Sequence, residues 1–482
     1  MRRLGARGVD MVIRHLEGFR RRTTGETAGR AKLEALLHGP PPVRGRAPLA
    51  VLRRLERDVL KYSLSTNHPR FYGFIPSGAS FPGMLGDFLA SGFNVYSGAW
   101  IEAAGPAQIE LTVIDWFRRW LGMPATAGGT MVSGGSVANL TALVVAREAM
   151  LERSDRRARA RTVLYASDQT HSSIERAARV LDFPDNHVRL LPTDDQFRLS
   201  VAALEASIRR DRKRGLRPLC VVANGGSTNT GSVDPLPELA RLCRHHKVWL
   251  HVDAAYGGFA VLTRRGRSAL RGIGRADSVT LDPHKWLCVP YEAGCLMVRD
   301  RRLLRRAFDV RPEYLQDIRL RKENFNFSDY GIQLTRSWRA LKIWLTLQIF
   351  GTRRIVASMD RALDLAARTA RRLAASPAFE ILAPPSLGVI CFRYIPEDLR
   401  RKSSSRTPVA SRSAAEERRL RLVNEQIVRS IQERHWSFLT STVLNGRYSV
   451  RLCILNHRTL WSDILDTLGE IETAGSAASA IV

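Results

Sequence analysis

Short apolar, β-branched runs separated by helical stretches restrict the fold of this chain more than any other feature. Five such runs stand out: Thr162–Ala166, Leu219–Ala223, Val248–Val252, Ser278–Leu281 and Gly294–Val298. Helical stretches Val137–Met150, Ser200–Arg214 and Pro235–His246 precede or separate them. Strands joined through helices cannot pair as tight hairpins, so the pattern predicts a mainly parallel sheet covered by helices on both faces. In such sheets ligands bind beyond the carboxyl ends of the strands. Two ionisable residues fall at that edge: Asp253, directly after Val248–Val252, and Lys285, shortly after Ser278–Leu281.

The chain has 482 residues, enough for one large domain and smaller ones. Residues 1–90 alternate amphipathic helices (Val9–Arg22, Ala31–Leu37, Leu49–Tyr62) with breakers such as Gly39-Pro40-Pro41-Pro42. Two of these helices carry apolar residues at spacings of three and four, so each needs a surface to cover. Residues 91–360 hold the strand–helix alternation. Residues 361–482 combine helix Ala362–Ala375 with apolar strands Leu387–Tyr394 and Tyr448–Ile454, fitting a small α/β domain. Within it, 399–421 is rich in serine and arginine and poor in apolar residues, which predicts a flexible basic insertion.

Hydrophobic content of 44% is ordinary for a soluble globular protein, and no apolar run approaches the roughly 18 residues that span a membrane. No apolar stretch precedes Arg14, so no secretory signal is expected. The six cysteines form no Cys-x-x-Cys pair and no metal spacing, and read as buried free thiols in a reducing cytoplasm. The net charge of +29 would suit a nucleic-acid partner. Yet the arginine excess is spread over helical surfaces such as Arg153–Arg161, Arg209–Arg217 and Arg299–Arg306, with no interleaved aromatics. Solvated faces are the expected role, and specific nucleic-acid binding is not.

Eight of the 75 basic residues are lysine, so Lys285 inside Asp282-Pro283-His284-Lys285-Trp286 is not ordinary surface decoration. A lysine and an acid, each at the end of an apolar run, are the groups a pyridoxal phosphate enzyme needs most. The amine bonds to the cofactor aldehyde, and the carboxylate keeps the pyridine nitrogen protonated. Ser133-Gly134-Gly135-Ser136 before a helix reads either as a glycine turn with a serine cap or as a phosphate cradle at a helix N-terminus.

Further blocks are Ser133–Asn139, Ser167-Asp168-Gln169-Thr170-His171-Ser172-Ser173, Ser227-Thr228-Asn229-Thr230-Gly231, His251–Gly258 and Arg311-Pro312-Glu313-Tyr314-Leu315. In this order, from about His68 to about Thr459, the chain resembles the group II pyridoxal phosphate decarboxylases, of the aromatic-L-amino-acid decarboxylase type. That resemblance implies an aspartate aminotransferase-like (fold type I) α/β fold with pyridoxal 5'-phosphate as cofactor. It also implies a homodimer with active sites at the subunit interface and an N-terminal helical segment clasping the partner. It assigns Lys285, Asp253, His171, Gly135, Ser136, Thr228 and His284 to the cofactor, with His171 stacked on its ring. Tyr314 becomes the acid that protonates the α-carbon once CO2 has left, on a loop reaching into the partner's site. Family members with phenylalanine there tend toward aldehyde formation, so tyrosine implies an amine product.

Phe71–Ser77 resembles the family's substrate-pocket segment. Phe74 and Ile75 would form an apolar wall, with Ser77 beside them and Trp100 adding to it, favouring an aromatic side chain. Two departures bear on the pocket: Ala104-Gly105-Pro106-Ala107 replaces a Ser-Pro-Ala motif, and Ala223–Thr228 replaces Ala-Thr-x-Gly-Thr-Thr. Decarboxylation of a glutamate, aspartate or diaminobutyrate type of substrate, aldehyde synthesis and transamination are the alternatives. A silent polyanion-binding scaffold would need no intact site.

Overall fold

The structure is a computed structural model describing residues 1–152, 155–310, 313, 324–400 and 412–482. It divides into two compact units. One comprises 79–366 and 383–390; the other comprises 1–78, 367–382 and 391–482.

The first unit is built on a seven-stranded sheet: β1 (Gly128–Val132), β2 (Thr162–Ser167), β3 (Val188–Leu191), β4 (Arg217–Asn224), β5 (Trp249–Asp253), β6 (Ser278–Leu281) and β7 (Gly294–Val298). The strand order is β1-β7-β6-β5-β4-β2-β3. Pairings from β6 through β3 are parallel, and β7 lies antiparallel between β6 and β1. Strands β1, β2, β5, β6 and β7 are buried at every position, as expected of a sheet covered on both faces. The expected mainly parallel α/β architecture is what forms. The sequence pattern missed β1, whose Gly128-Gly129 start lacks β-branching, and β3, a half-exposed edge strand carrying Arg189.

Register places the site. Asn224 pairs with Asp253 and Asp253 with Thr280, so the ends of β4, β5 and β6 present three polar side chains in one row. Because β7 is antiparallel to both neighbours, β1 ends on the same edge. Val132 pairs with Gly294, and a Cβ on Gly294 would lie 2.5 Å from Gly134 Cα. Only glycine lets the loop after β1 cross β7 so closely. Helix Gly135–Met150 then leaves that loop and packs Ala138, Ala142, Leu143, Val145 and Ala146 into a core with Leu164, Val222, Leu296 and Val298. Its small side chains let the helix approach the sheet, and each buried Val or Leu contributes about 1.5–3 kcal/mol.

Helix Trp100–Leu121 is interrupted at Ala103 (φ −146°) and contains Pro106, which cannot donate a backbone hydrogen bond. Beyond that break it buries Val113, Ile114, Phe117 and Leu121, and with them Glu110. The Glu110 carboxylate meets Arg336 in a fork (Nη2–Oε1 2.6 Å, Nη1–Oε2 3.2 Å) and accepts from the Met131 amide at 3.1 Å. Arg336 also donates to the carbonyls of Met131 (2.9 Å) and Ser97 (3.2 Å). This satisfied pair ties the helix to β1 and hence to the loop at the site.

The second unit carries a four-stranded sheet of β8 (Phe379–Ile381), β9 (Val389–Tyr394, its first two residues in the other unit), β10 (Thr440–Leu444) and β11 (Arg447–Cys453). Its order is β10-β11-β9-β8. Residues 1–78 belong to this unit. Backbone amides of Thr24 and Tyr72 donate to His435 and Phe438 carbonyls, both at 2.7 Å. Asn456 Nδ2 reaches the carbonyls of Thr66, Asn67 and His68. Helix Arg2–Glu17 buries no residue and leaves Val9, Val12 and Ile13 exposed.

Part of the stretch 399–421, expected to be a flexible basic insertion, is helical. Residues 401–411 lie outside the described ones, but a helix begins at Ala414 and runs to Arg434. Ser413 and Glu416 form a reciprocal capping box, and Leu420, Val423, Ile427 and Ile431 face the interior. The serine and arginine content concealed a helix start.

Arg336→Met should lower stability by about 3–5 kcal/mol, because it leaves Glu110 charged, buried and unpaired. Adding Glu110→Leu should recover most of that loss. Urea midpoints of the two variants against the wild type measure both effects.

Candidate active site

At the carboxyl edge of the large sheet lies a cavity of about 280 Å³, lined by residues of the first unit alone. Asp253, at the end of β5, forms its floor and is 7% exposed. Asp253 Oδ1 accepts from the Ala255 amide at 3.1 Å, and Oδ2 accepts from Asn139 Nδ2 at 2.8 Å. Lys285 sits on the short helix Pro283–Trp286 that follows β6. Its Nζ lies 3.0 Å from Asp282 Oδ2, so the amine enters the cavity already paired.

The loop after β1 forms one wall, with Ser133, Gly134, Gly135 and Ser136 on the cavity. Helix Gly135–Met150 starts here with no acidic residue in its first turn, leaving its amide dipole uncompensated by side chains. A Cβ on Gly135 would lie 3.0 Å from Ala255 Cβ and 3.1 Å from Asp282 Oδ2. A side chain there would press on both neighbours, whereas glycine leaves the helix amides open to a small anion. His284 lies beside it. Its Nδ1 donates to the Ala293 carbonyl at 2.6 Å, and burial holds its pKa below the usual imidazole value, so it lines the cradle as a neutral ring.

His171 and Thr228 also line the cavity. His171 follows β2 and is fixed by Ser173, whose Oγ lies 2.8 Å from Nδ1 and whose amide donates to the same nitrogen at 3.2 Å. A buried carboxylate, an amine and a glycine-lined helix N-terminus around one cavity are the donor set pyridoxal phosphate requires. The residues present fit that cofactor.

Lys285, Asp253, His171, Gly135, Ser136, Thr228 and His284 thus all meet at one cavity. Phe74, Ile75 and Ser77 belong to the other unit, where Phe74 is exposed in the left-handed region (φ 54°) with its ring 6.0 Å from that of Phe438. Ile75 and Ser77 are buried. Trp100 opens helix Trp100–Leu121, and its amide donates to Asn326 Oδ1 at 2.9 Å. Tyr314 lies outside the described residues.

Asn139, Asn224, Asp282 and Glu292 line the cavity without having been singled out for roles there. Asn139 stands four residues past Gly135, one helical turn from the cradle, and that spacing was the available signal. Asp282 has Oδ1 buried without a hydrogen-bond partner among the described residues. Glu292 is held by Arg339 at 2.9 Å.

Residues 47–395 match the family model described as the pyridoxal-dependent decarboxylase conserved domain. The chain is 40% identical over 480 residues to an aromatic-L-amino-acid decarboxylase of Bacillus atrophaeus, covering 99% of this chain and 96% of that protein. It is 29% identical to a phenylacetaldehyde synthase of Petunia hybrida, covering 94% and 90% of the two. Among solved structures, Oryza sativa TDC with PLP and tryptamine matches with a TM-score of 0.90 at 25% identity over 99% of this chain and 97% of that one. A Catharanthus roseus tryptophan decarboxylase in complex with L-tryptophan matches with a TM-score of 0.88 at the same identity, over 99% and 98%. With its cofactor-type cavity intact, the chain belongs to the pyridoxal-dependent decarboxylase family.

Proposed function

We propose that this protein decarboxylates an aromatic L-amino acid to the corresponding amine. The observation that carries the reading is the near full-length 40% identity to an aromatic-L-amino-acid decarboxylase, joined to a cavity that keeps Lys285 and Asp253. When bound, pyridoxal phosphate supplies the electron sink that accepts the pair released as CO2 departs.

The chain's own residues do the rest. Lys285 Nζ anchors the cofactor aldehyde. Asp253, ionised and held by two N–H donors, keeps a proton on the ring nitrogen. Amides of the Gly135–Met150 N-terminus and the Ser136 hydroxyl bind the phosphate, with Thr228 and the neutral His284 as further contacts. His171 covers the ring face. Tyr314 delivers a proton to the α-carbon. Phe74, Ile75, Ser77 and Trp100 are assigned to the substrate side chain on family resemblance alone.

A homodimer is part of this reading. Phe81, Leu85, Phe88, Phe93 and Ile101 lie within one stretch of the first unit and are 38–77% exposed, an apolar surface suited to a second copy. The six free, buried cysteines suit a reducing cytoplasm. Aldehyde formation is the second reading, favoured by the phenylacetaldehyde synthases among the relatives.

A panel of amino acids scored by CO2 release should show the highest kcat/KM with tryptophan, phenylalanine, tyrosine or 3,4-dihydroxyphenylalanine. Preference for glutamate would overturn the aromatic assignment. Borohydride should trap the cofactor on Lys285, and Lys285→Ala should lose both trapping and nearly all turnover. Asp253→Asn should bind cofactor less tightly and turn over several orders of magnitude more slowly.

Mixing Lys285→Ala with Tyr314→Phe subunits, neither of which should form amine alone, tests the shared site. If the loop acts across the interface, each heterodimer regains one amine-forming site, and amine formation returns at up to about a quarter of sites at random pairing. Light scattering that finds a fully active monomer would contradict the dimer.

Tyr314→Phe should keep substrate binding and CO2 release while the product shifts from amine to aldehyde. Ammonia and hydrogen peroxide should then appear in step with oxygen consumption. Amine formation at the wild-type rate would remove Tyr314 as the acid.

A further inference from the structure

Beneath the cavity runs a buried polar chain, most of whose members the proposed roles do not use. Trp249, at the start of β5, can only donate from its indole nitrogen, and donates to Ser278 Oγ at 2.9 Å. His251 Nε2 faces Asn139 Oδ1 at 3.0 Å; an amide oxygen only accepts, so Nε2 carries the proton and Nδ1 accepts from Ser278 Oγ, 2.8 Å away. Thr280 donates to the same amide oxygen at 2.7 Å. With its oxygen held by two donors, Asn139 turns both N–H bonds the other way, to Asp253 Oδ2 and Ser173 Oγ, each at 2.8 Å. Ser173 is left to donate to His171 Nδ1 at 2.8 Å.

The direction is set from the Asp253 end, because an ionised carboxylate only accepts and so fixes which way the Asn139 amide points; a serine oxygen can accept twice, so the indole alone fixes nothing. Reversing His251 would turn the Asn139 oxygen onto Asp253, placing two acceptors together in a dry site. Trp249, Ser278, His251, Thr280, Asn139, Ser173 and Asp253 are each at most 7% exposed, so water cannot reset the order cheaply. Burial also pushes the His251 pKa down to about 4, which keeps its ring neutral and its single proton in place at neutral pH.

We infer that Asn139 and His251 are positioning residues. Through one amide, His251 holds Asp253 as an ionised acceptor for the cofactor ring and sets His171 as the Nε2–H tautomer. His171 thus faces the cavity as a proton donor, its Nδ1 being occupied by Ser173. The functional consequence rests on the pyridoxal phosphate reading of this cavity; the hydrogen-bond order does not.

The test uses the full-length protein labelled with 15N-histidine, with and without pyridoxal phosphate. His171→Gln and His251→Gln assign the two resonances. Both rings should show the proton on Nε2, and His251 should hold it without cofactor. Asn139→Ala should weaken pyridoxal phosphate binding by roughly ten- to a hundredfold, the usual effect of losing a hydrogen bond to a buried charge. The same variant should let His171 sample its other tautomer. His251→Leu should weaken binding in the same direction. His251→Gln, whose amide can donate from nearly the Nε2 position, should restore affinity to within about threefold. This Leu–Gln pair decides the matter should Asn139→Ala fail to fold. A purely structural role for His251 would move neither the His171 tautomer nor the Gln-over-Leu difference. A proton found on Nδ1 of either ring, or wild-type affinity in both Asn139→Ala and His251→Leu, overturns the inference. If the wild type itself bound no pyridoxal phosphate, the cofactor reading would fail while the tautomer result still judged the relay.

Discussion

The whole site depends on keeping one carboxylate charged in a place where charge is costly. Asp253 closes β5 in the interior of the sheet edge, where an unpaired ion would lose several kcal/mol of solvation or take up a proton. The fold meets that cost with neutral donors rather than a salt bridge: the Ala255 amide on Oδ1 and the Asn139 amide on Oδ2. A lysine or arginine there would satisfy Asp253 so fully that it had nothing left for a cationic ring. Two N–H bonds stabilise the anion and leave it hungry for a third, positively charged, partner.

That arrangement explains several features of the scaffold that otherwise look unrelated. Parallel pairing of β4, β5 and β6 brings Asn224, Asp253 and Thr280 into one row, and Thr280 helps orient Asn139. In the proposed reading helix Gly135–Met150 would serve two ends of the same ligand: its first turn would hold the phosphate, and its next turn carries Asn139 to Asp253. The buried Arg336–Glu110 pair holds the β1 side, from which that helix begins.

The sequence made the catalytic edge legible because its signals were local. Asp253 and Lys285 each end a β-branched run, and five interior strands could be read within a residue or two at either end. What could not be read was carried by distant partners. Asn139 and His251 lie 112 residues apart and gain meaning only when a helix and a strand bring them together. Likewise, nothing around Thr66–His68 announces that Asn456 would cap its carbonyls. At 399–421 composition overruled a genuine local signal, the Ser413-x-x-Glu416 box. Phe74, Ile75 and Ser77 rested on resemblance rather than on any pattern of their own.

The net charge of +29 is a property of the surface, not of the site. Many arginines are accounted for by exposed pairs, such as Arg209–Glu205 on a helix and Arg198–Asp194 in the turn before it, which water and salt screen. In the cavity the balance is reversed. Asp253 and Asp282 face one amine, Lys285, while Glu292 is already engaged by Arg339 and His284 is neutral. Among the described residues of one copy, net charge gives an anionic cofactor no advantage. In the proposed reading the helix amides, the hydroxyls and the glycine-shaped cradle would recognise the phosphate by geometry, and Asp253 the ring nitrogen by charge. A ligand satisfies this cavity only if it carries an anion at one end and a basic ring nitrogen at the other, with a group between them that an amine can bond. The surface arginines play no part in that selection.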